Sequence, residues 1–287
     1  MKYLIVNADG FGLTEGCNRG VYETIENGLT TSVSVNMNFP AAAAVTELQR
    51  RYPNVSVGVH LNPIVGSPVA HSGEISSLIN PETGEFWGGR EFTRRLMTGR
   101  IEQSELEHEL TSQLKKAFDM GVKVSHIDSH QNRHLQPFYF RTFLAVGKKM
   151  SVMRMRTSKY YLVSATGRSG ANEYYVKHPS RLVFHVINRI NMERAKRMGF
   201  RMADRQINFA LLEKGEKYLL NNWIVLLRNL PDGYNEVYFH PAYPDKELAG
   251  LASYVSERDI ERRILQEAIL KEIVKDEGIR LVTFRDI

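Results

Sequence analysis

Short apolar or β-branched runs recur along the chain, and segments with a helical period of apolar residues separate most of them. The runs that predict strands are Tyr3–Val6, Ser32–Met37, Val55–Val59, Val122–Ile127 and Glu236–Phe239. Glycine and proline mark the expected helix ends: Gly28 follows a helical pattern over 20–27, and Pro40 opens an alanine-rich helix. Gly121 closes a helix that begins near Ser104. Strands that alternate with helical crossovers indicate a parallel α/β sheet.

One long segment, 61–100, departs from this alternation. It carries Pro63, Pro68, Pro81 and several glycines without a clear period. We therefore expect a long loop with some local structure, and long loops in compact domains are often functional.

Composition narrows the class of protein. A chain of 287 residues with 43% hydrophobic and 24% charged residues is typical of a folded globular protein, and its length suits either one α/β barrel or two smaller domains. No apolar run is long enough to span a bilayer or to form a secretory leader, so we expect a cytoplasmic protein. The only cysteine, Cys17, excludes an intramolecular disulfide and is interpreted as a core residue. The net charge of +6 is a weak indication of anionic partners, and without a nucleic-acid motif we expect no nucleic-acid partner.

Polar side chains cluster where the predicted strands end. They are Asn7 and Asp9 after the first strand, His60 after the third, His126, Asp128 and His130 after the fourth, and His240 after the last. Because parallel strands bring their carboxyl ends to one edge of a sheet or barrel, we expect one set of metal-binding and acid–base groups. The two-residue spacing from His126 to His130 directs those side chains to one face of an extended chain. For that segment alone, a polar loop with solvated histidines is the alternative.

Four motifs stand in order along the chain: NADGFGLTEGCNRGV at 7–21, VGVHLNP at 57–63, SHIDSHQNRHLQP at 125–137 and FHPAY at 239–243. Over nearly the whole chain they resemble the motifs of the YdjC-like carbohydrate deacetylases. The resemblance implies a single domain over 1–287 with a distorted (β/α) barrel of fewer than eight regular strands, like that of polysaccharide deacetylases. It also implies a divalent metal, magnesium or zinc, and the removal of an acetyl group from an N-acetylated amino sugar or short oligosaccharide. Arg258, Glu261 and a closing GIRLVTFRDI also match the family's C-terminal pattern.

The resemblance assigns roles to individual residues. Asp9 matches the family's general base, His60 and His130 its two metal-binding histidines, and His240 its late His-Pro motif. Arg154 falls where the family tends to have an arginine, which could hold Asp9 ionised. We also expect His126, Asp128 and His134 to surround the metal ligands, and Asn62 and Tyr243 to bind the substrate.

Two departures from the family pattern concern the metal. Gly10 stands where the family has a metal-binding aspartate, and Gln131–Asn132 replace a family histidine. A glycine offers no side-chain ligand, so two histidines remain unless water, Asp9 or Asp128 supplies an oxygen. The open interpretations are a working enzyme with altered ligands, an inactivated variant, and a carbohydrate-binding relative that does not hydrolyse.

Two basic segments lie outside the motifs. Over 180–198, apolar residues recur at helical spacing among arginines and lysines, which predicts an amphipathic basic helix. We interpret its apolar stripe as packed against the barrel, with contact to an anionic membrane surface as the alternative. The segment 154–161 mixes arginine, lysine and tyrosine, and we interpret it as a sugar-stacking surface or plain surface. The sequence does not determine the oligomeric state, and a homodimer is one possibility.

Overall fold

The computed structural model describes residues 1–164, 166, 169–212 and 215–287. Its strands are β1 (Lys2–Phe11), β2 (Ser32–Val35), β3 (Ser56–Leu61), β4 (Val124–Ser129), β5 (Tyr160–Leu162), β6 (Arg205–Asn208), β7 (Gly233–Phe239) and β8 (Arg280–Leu281). Its α-helices are α1 (Glu15–Asn27), α2 (Val45–Arg51), α3 (Gly89–Met97), α4 (Gln103–Asp119), α5 (Pro137–Lys149), α6 (Ala171–Lys177), α7 (Pro179–Arg197), α8 (Glu216–Arg228), α9 (Lys246–Leu251), α10 (Ser256–Ile264) and α11 (Ala268–Asp276). Short 3₁₀ turns cover Pro40–Ala44, Ser72–Glu74, His130–Leu135 and Phe284–Asp286.

The described strands form one sheet in the order β4-β3-β2-β1-β7-β6-β5, with β8 beside the start of β1, and every strand pair is parallel. A short segment before β5 brings the far sides of the sheet together. The N–H of Ile127 in β4 donates to the carbonyl of Arg154 at 3.0 Å, and the N–H of Met155 donates to the carbonyl of Arg201 at 3.0 Å. The sheet therefore curls into a distorted barrel, which confirms the expected fold class.

Most expected element ends agree with the structure. Helix α1 stops before Gly28, Pro40 opens a 3₁₀ turn that leads into α2, and α4 ends just before Gly121, whose φ of +76° suits glycine. The segment 61–100 contains a 3₁₀ turn and α3 within its loops. Strand β1 runs on to Phe11, so the polar residues expected after the first strand lie inside it.

Helix α7 presents its apolar stripe to solvent. Its exposed apolar residues are Leu182, Val183, Phe184, Val186 and Ile190. The residues that α7 buries are Asn188, Met192 and Ala195, which lie on the side of the helix opposite Leu182, Val186 and Ile190. The expectation that the stripe packs against the barrel is therefore wrong, because α7 packs on the core through Met192 and Ala195 of the other face. Among the described residues, no helix is both long and apolar enough to cross a membrane.

Candidate active site

Polar side chains fill the barrel interior near the carboxyl ends of its first four strands. Asp9 of β1 lies in register with Ser34 of β2, and His60 of β3 lies in register with Asp128 of β4. All four side chains are buried. Because alternate strand residues share a face, the two in-register pairs direct these groups towards a common interior.

A buried arginine, Arg156, connects three carboxylates. Its terminal nitrogens donate to the two oxygens of Asp9 at 2.7 and 2.6 Å, and Nη2 also lies 2.7 Å from Oδ2 of Asp128. Its Nε donates to Glu236 at 2.7 Å. Only 1% of Arg156 is exposed, so its interpretation as part of a surface segment is wrong. A buried cation with three anionic partners orders the interior of the barrel.

The sequence pointed to Arg154 for contact with Asp9, but the structure places Arg154 elsewhere. Its Nε donates to the backbone carbonyl of Ile287 at 2.8 Å, away from the carboxylates. Both arginines alternate with methionine in VMRMRT, so they share one side of an extended segment. That alternation was the available signal for Arg156, and it could not say which arginine reaches the site.

The three carboxyl groups around Arg156 differ in the direction of their pKa shifts. Burial by itself would raise the pKa of Asp9 and of Asp128. The charges of Arg156 and His60 together lower both pKa values by more than burial raises them, so each lies below its ordinary value. Burial raises the pKa of Glu236 to about 7 despite the opposing charge of Arg156. Asp9 is therefore ionised at neutral pH.

Two histidines face the same cavity. Nδ1 of His60 lies 2.7 Å from Oδ1 of Asp128, which fixes the ring and leaves Nε2 for another partner. The ring of His130 stands nearly perpendicular to that of His60, with centroids 5.5 Å apart. Burial first, and then the charges of His60 and Arg258, hold the pKa of His130 well below its ordinary value. A neutral imidazole has the free lone pair that metal binding requires.

The donor set suits a divalent cation. Ligand atoms of Asp9, His60 and Asp128 lie within 4.8 Å of one another, and all three residues are buried. Imidazole donors suit zinc, whereas carboxylate oxygens suit magnesium and manganese. The expected ligand His130 borders the same cavity as His60 and Asp9.

The other two histidines of this region make structural contacts. His126 stacks on Phe284 at 3.6 Å and bonds Ser125 through Nδ1 at 2.8 Å. His134 stacks on Phe143 and bonds Ser129 at 2.6 Å. Burial lowers the pKa of His126 and of His134 to about 3, so both rings are neutral. His126 lies next to the site, since its Nε2 is 3.2 Å from Ser34 Oγ.

The cavity above these groups has a volume of about 440 Å³. Its charged and polar wall includes Asp9, His60, His130, Arg156, His240, Arg258 and Glu261. Aromatic and apolar parts of the wall are Phe209, Tyr238, Leu251 and Tyr254. The backbone N–H of His240 donates to Glu261 Oε2 at 2.6 Å, and the partly exposed His240 side chain lines the cavity. A cleft with aromatic walls and a few directed polar groups is typical of a small-ligand site.

Gly10 lies at the inner edge of this region. The pairing of β1 with β2 shifts between Asp9 and Phe11, so Gly10 occupies a β-bulge, with φ of +99°. A Cβ at this position would lie 2.9 Å from Nη1 of Arg258. The space that a side chain would take is therefore bordered by a guanidinium.

The two residues expected in substrate binding lie outside the cavity wall. Asn62 is buried and supports its own loop, accepting the N–H groups of Ile64 and Val65 at 3.1 Å. Tyr243 bonds Glu23 through its hydroxyl at 3.1 Å, and Arg262 stacks over its ring. The structure therefore brings together the expected residues of β1, β3 and β4 with His240, and it separates Arg154, Asn62 and Tyr243 from them.

Comparisons with known proteins agree with this architecture. The YdjC-like protein family model matches residues 3–276. A carbohydrate deacetylase of Thermoanaerobacter pseudethanolicus is 29% identical, with 99% of this chain and 98% of that protein covered. A chitooligosaccharide deacetylase of Klebsiella pneumoniae is 28% identical over 100% of this chain and 99% of its own. A crystal structure from Enterococcus faecalis, described as a candidate cellobiose-phosphate cleavage protein, shares the fold with a TM-score of 0.75 and 23% identity, covering 99% of this chain and 98% of that one. The chain belongs to the YdjC-like protein family.

Proposed function

We propose that this protein is a metal-dependent carbohydrate deacetylase that removes the acetyl group from an N-acetylated amino sugar or short oligosaccharide. The observation that carries the proposal is Asp9, whose carboxylate is held ionised by Arg156 in the cavity that His60 and His130 border. Relatives matched over almost the whole chain are deacetylases of carbohydrates and chitooligosaccharides, which supports the same reaction here.

The proposed reaction is hydrolysis of the acetamide. Asp9 accepts a proton from water as the water oxygen bonds to the acetyl carbon. The carbon–nitrogen bond then breaks, and the departing nitrogen takes a proton from the acid that we assign to His240. The products are acetate and the free amine of the sugar. Arg156 remains bound to Asp9 throughout and sets its orientation.

We assign the metal to His60 and His130, with Asp128 holding the imidazole of His60. When bound, a divalent ion polarises the acetyl carbonyl and lowers the pKa of water. Asp128 accepts from His60, Ser34 and Arg156, so its role is to orient these groups. Asp9 remains the base.

The cavity wall supports a sugar as substrate. Tyr238 and Tyr254 line it beside Phe209, and aromatic faces pack against the apolar faces of sugar rings. A volume of about 440 Å³ suits a small ligand. Longer oligosaccharides would extend along the neighbouring cleft that shares Asn208 and Phe209.

Acetate release tests the proposal. The purified protein, stripped of metal, is incubated with N-acetylglucosamine and with short chitooligosaccharides in the presence of Mg²⁺, Mn²⁺ or Zn²⁺, and the sugars are examined by mass spectrometry. We expect loss of one acetyl group and dependence on added metal. Gly10 favours a second candidate, a carbohydrate-binding relative with weak or no hydrolysis. Saturable sugar binding without acetate release under any metal would support that candidate and refute the enzyme.

A further inference from the structure

Arg258 of α10 carries a buried positive charge that the protein leaves partly unpaired. Only 3% of the residue is exposed. Its Nε donates to the carbonyl of Tyr254 at 2.8 Å, but its Nη1 is buried without a hydrogen-bond partner in the described part of the chain. A buried donor without a partner is costly, and a charged one more so, which makes this nitrogen a candidate for a ligand contact.

The unpaired nitrogen borders the space beside Asp9. Gly10, the next residue in β1, has no side chain, and a Cβ there would lie 2.9 Å from Nη1 of Arg258. Arg258 also lines the cavity that contains Asp9 and His130. The absence of a side chain at residue 10 therefore lets Nη1 of Arg258 lie close against β1, next to the proposed base.

The carboxylates that face the cavity already have partners. Both oxygens of Asp9 accept from Arg156. In Glu261, Oε2 accepts the backbone N–H of His240, and Oε1 accepts the hydroxyl of Tyr254. Nδ1 of His240 is buried and, among the described residues, has no hydrogen-bond partner, although Oε2 of Glu261 lies 3.7 Å from it. Two residues that carry a nitrogen without a hydrogen-bond partner, Arg258 and His240, thus border one cavity.

We propose that Arg258, held against Gly10, and His240 form a carboxylate-binding subsite, which takes the acetate released by the reaction. A guanidinium donor pairs favourably with a carboxylate oxygen, and the contact would be strong in a buried site. During hydrolysis the same donor faces the acetyl oxygen, which gains negative charge as the water oxygen bonds to the carbon and loses it when the carbon–nitrogen bond breaks. The contact with the acetyl oxygen rests on the proposed deacetylation, whereas acetate binding is a property of the protein without substrate.

Calorimetric titration of the metal-free protein with sodium acetate tests the subsite, with methylammonium chloride and acetamide as probes of the same size at constant ionic strength. We expect saturable binding of acetate and at least tenfold weaker binding of the other two. Arg258→Gln should weaken acetate binding at least tenfold, while Arg258→Lys retains a measurable part of it. Arg263→Gln removes an exposed arginine of the same helix, paired with Glu216 and Asp259, and should bind acetate as the parent does.

Gly10→Ala provides a second test that keeps the arginine. The added methyl group would displace Nη1, so acetate binding should weaken although the charge is retained. Circular dichroism and thermal melting identify the folded variants. Equal acetate binding by the parent and folded Arg258→Gln, or by the parent and folded Gly10→Ala, would overturn the subsite. Acetate binding that depends on Arg258 in a protein that releases no acetate from any sugar would leave the subsite standing and refute the deacetylase. Release of acetate from a sugar by a protein that does not bind acetate would support the deacetylase and refute the subsite.

Discussion

Arg156 donates its two terminal nitrogens to the two carboxylate oxygens of Asp9, at 2.7 and 2.6 Å, inside the barrel. This bidentate pair fixes the plane of the carboxylate and keeps it ionised without closing it off from the cavity, whose wall both residues share. Asp9 is thus half of a buried ion pair as well as the base that we propose.

Replacing Asp9 by asparagine tests both roles. Asp9→Asn retains the shape of the side chain but removes the base and one of the three carboxylates around Arg156, so deacetylation should fall by at least about 100-fold. Because a buried charge loses its partner, the free energy of unfolding should also fall, by about 3 kcal/mol. Acetate release and urea unfolding measure the two effects. Asp276→Asn, at an exposed carboxylate of α11, should change neither. Unchanged turnover in Asp9→Asn would show that Asp9 is not the base.

The two neighbouring arginines provide a matched pair of variants. Arg156→Gln leaves Asp9, Asp128 and Glu236 buried around a neutral group, so we expect loss of turnover and about 3–5 kcal/mol less stability. Arg154→Gln removes bonds to two backbone carbonyls at the barrel edge and should retain most of the activity. If instead Arg154→Gln abolished turnover and Arg156→Gln did not, the assignment of the arginine beside Asp9 would be wrong.

A carboxylate at residue 10 should restore the ligand that the family has there. Gly10→Asp would place an oxygen donor beside Arg258, next to Asp9 in the chain, and we expect metal affinity to rise at least about tenfold, the scale of changes around metal ligands. The positive φ of +99° should cost about 1 kcal/mol of stability. The new carboxylate would also pair with Arg258 and weaken acetate binding.

Gly10→Asn is the control for that substitution. It has nearly the same size and the same backbone strain but no charge, so it should lose stability without gaining metal affinity. Calorimetric metal titrations of the three proteins separate the effects. Equal metal affinity in all three would contradict the missing-ligand argument.

Glu236 makes stability depend on pH. Burial raises its pKa from 4.5 to about 7, so the folded protein retains a proton that the unfolded chain releases. The resulting stabilisation is fully present below about pH 4.5 and is lost as the pH rises through about 7. Glu236→Gln cannot lose this proton, so its stability relative to the parent should rise between pH 5 and 8 by on the order of 1–3 kcal/mol. Urea unfolding at both pH values measures the difference, with exposed Glu272→Gln as control. A constant difference between Glu236→Gln and the parent across this range would exclude titration of Glu236.

The parts of the site that sequence could predict are those determined by strand ends. Parallel strands bring their carboxyl ends together, so residues such as Asp9, His60 and Asp128 could be placed in one site without coordinates. The choice between Arg154 and Arg156 could not be made in this way. Residues two apart on a strand share a face but lie about 6–7 Å apart along it. Which of the two arginines lies level with Asp9 depends on how the strands of the whole barrel pair.

Helix α7 shows a different limit. Its periodicity correctly predicted a helix with an apolar stripe, but periodicity does not indicate on which side of a helix the barrel lies. The structure buries Asn188, Met192 and Ala195 instead. An amphipathic pattern therefore specifies that one face differs from the other, and the rest of the chain determines which face is covered.

The stacking of His126 on Phe284 has a consequence for biosynthesis. The N–H of Phe284 also bonds Ser56 at 3.3 Å, and β8 pairs with β1, so late residues of the chain complete contacts of its earliest strands. As a chain leaves the ribosome from its N-terminal end, β1 to β4 emerge long before Phe284. A nascent chain can pair these strands but cannot yet cover the His126 ring. Ribosome-bound intermediates should therefore pair β1 to β4 before the His126 ring is covered.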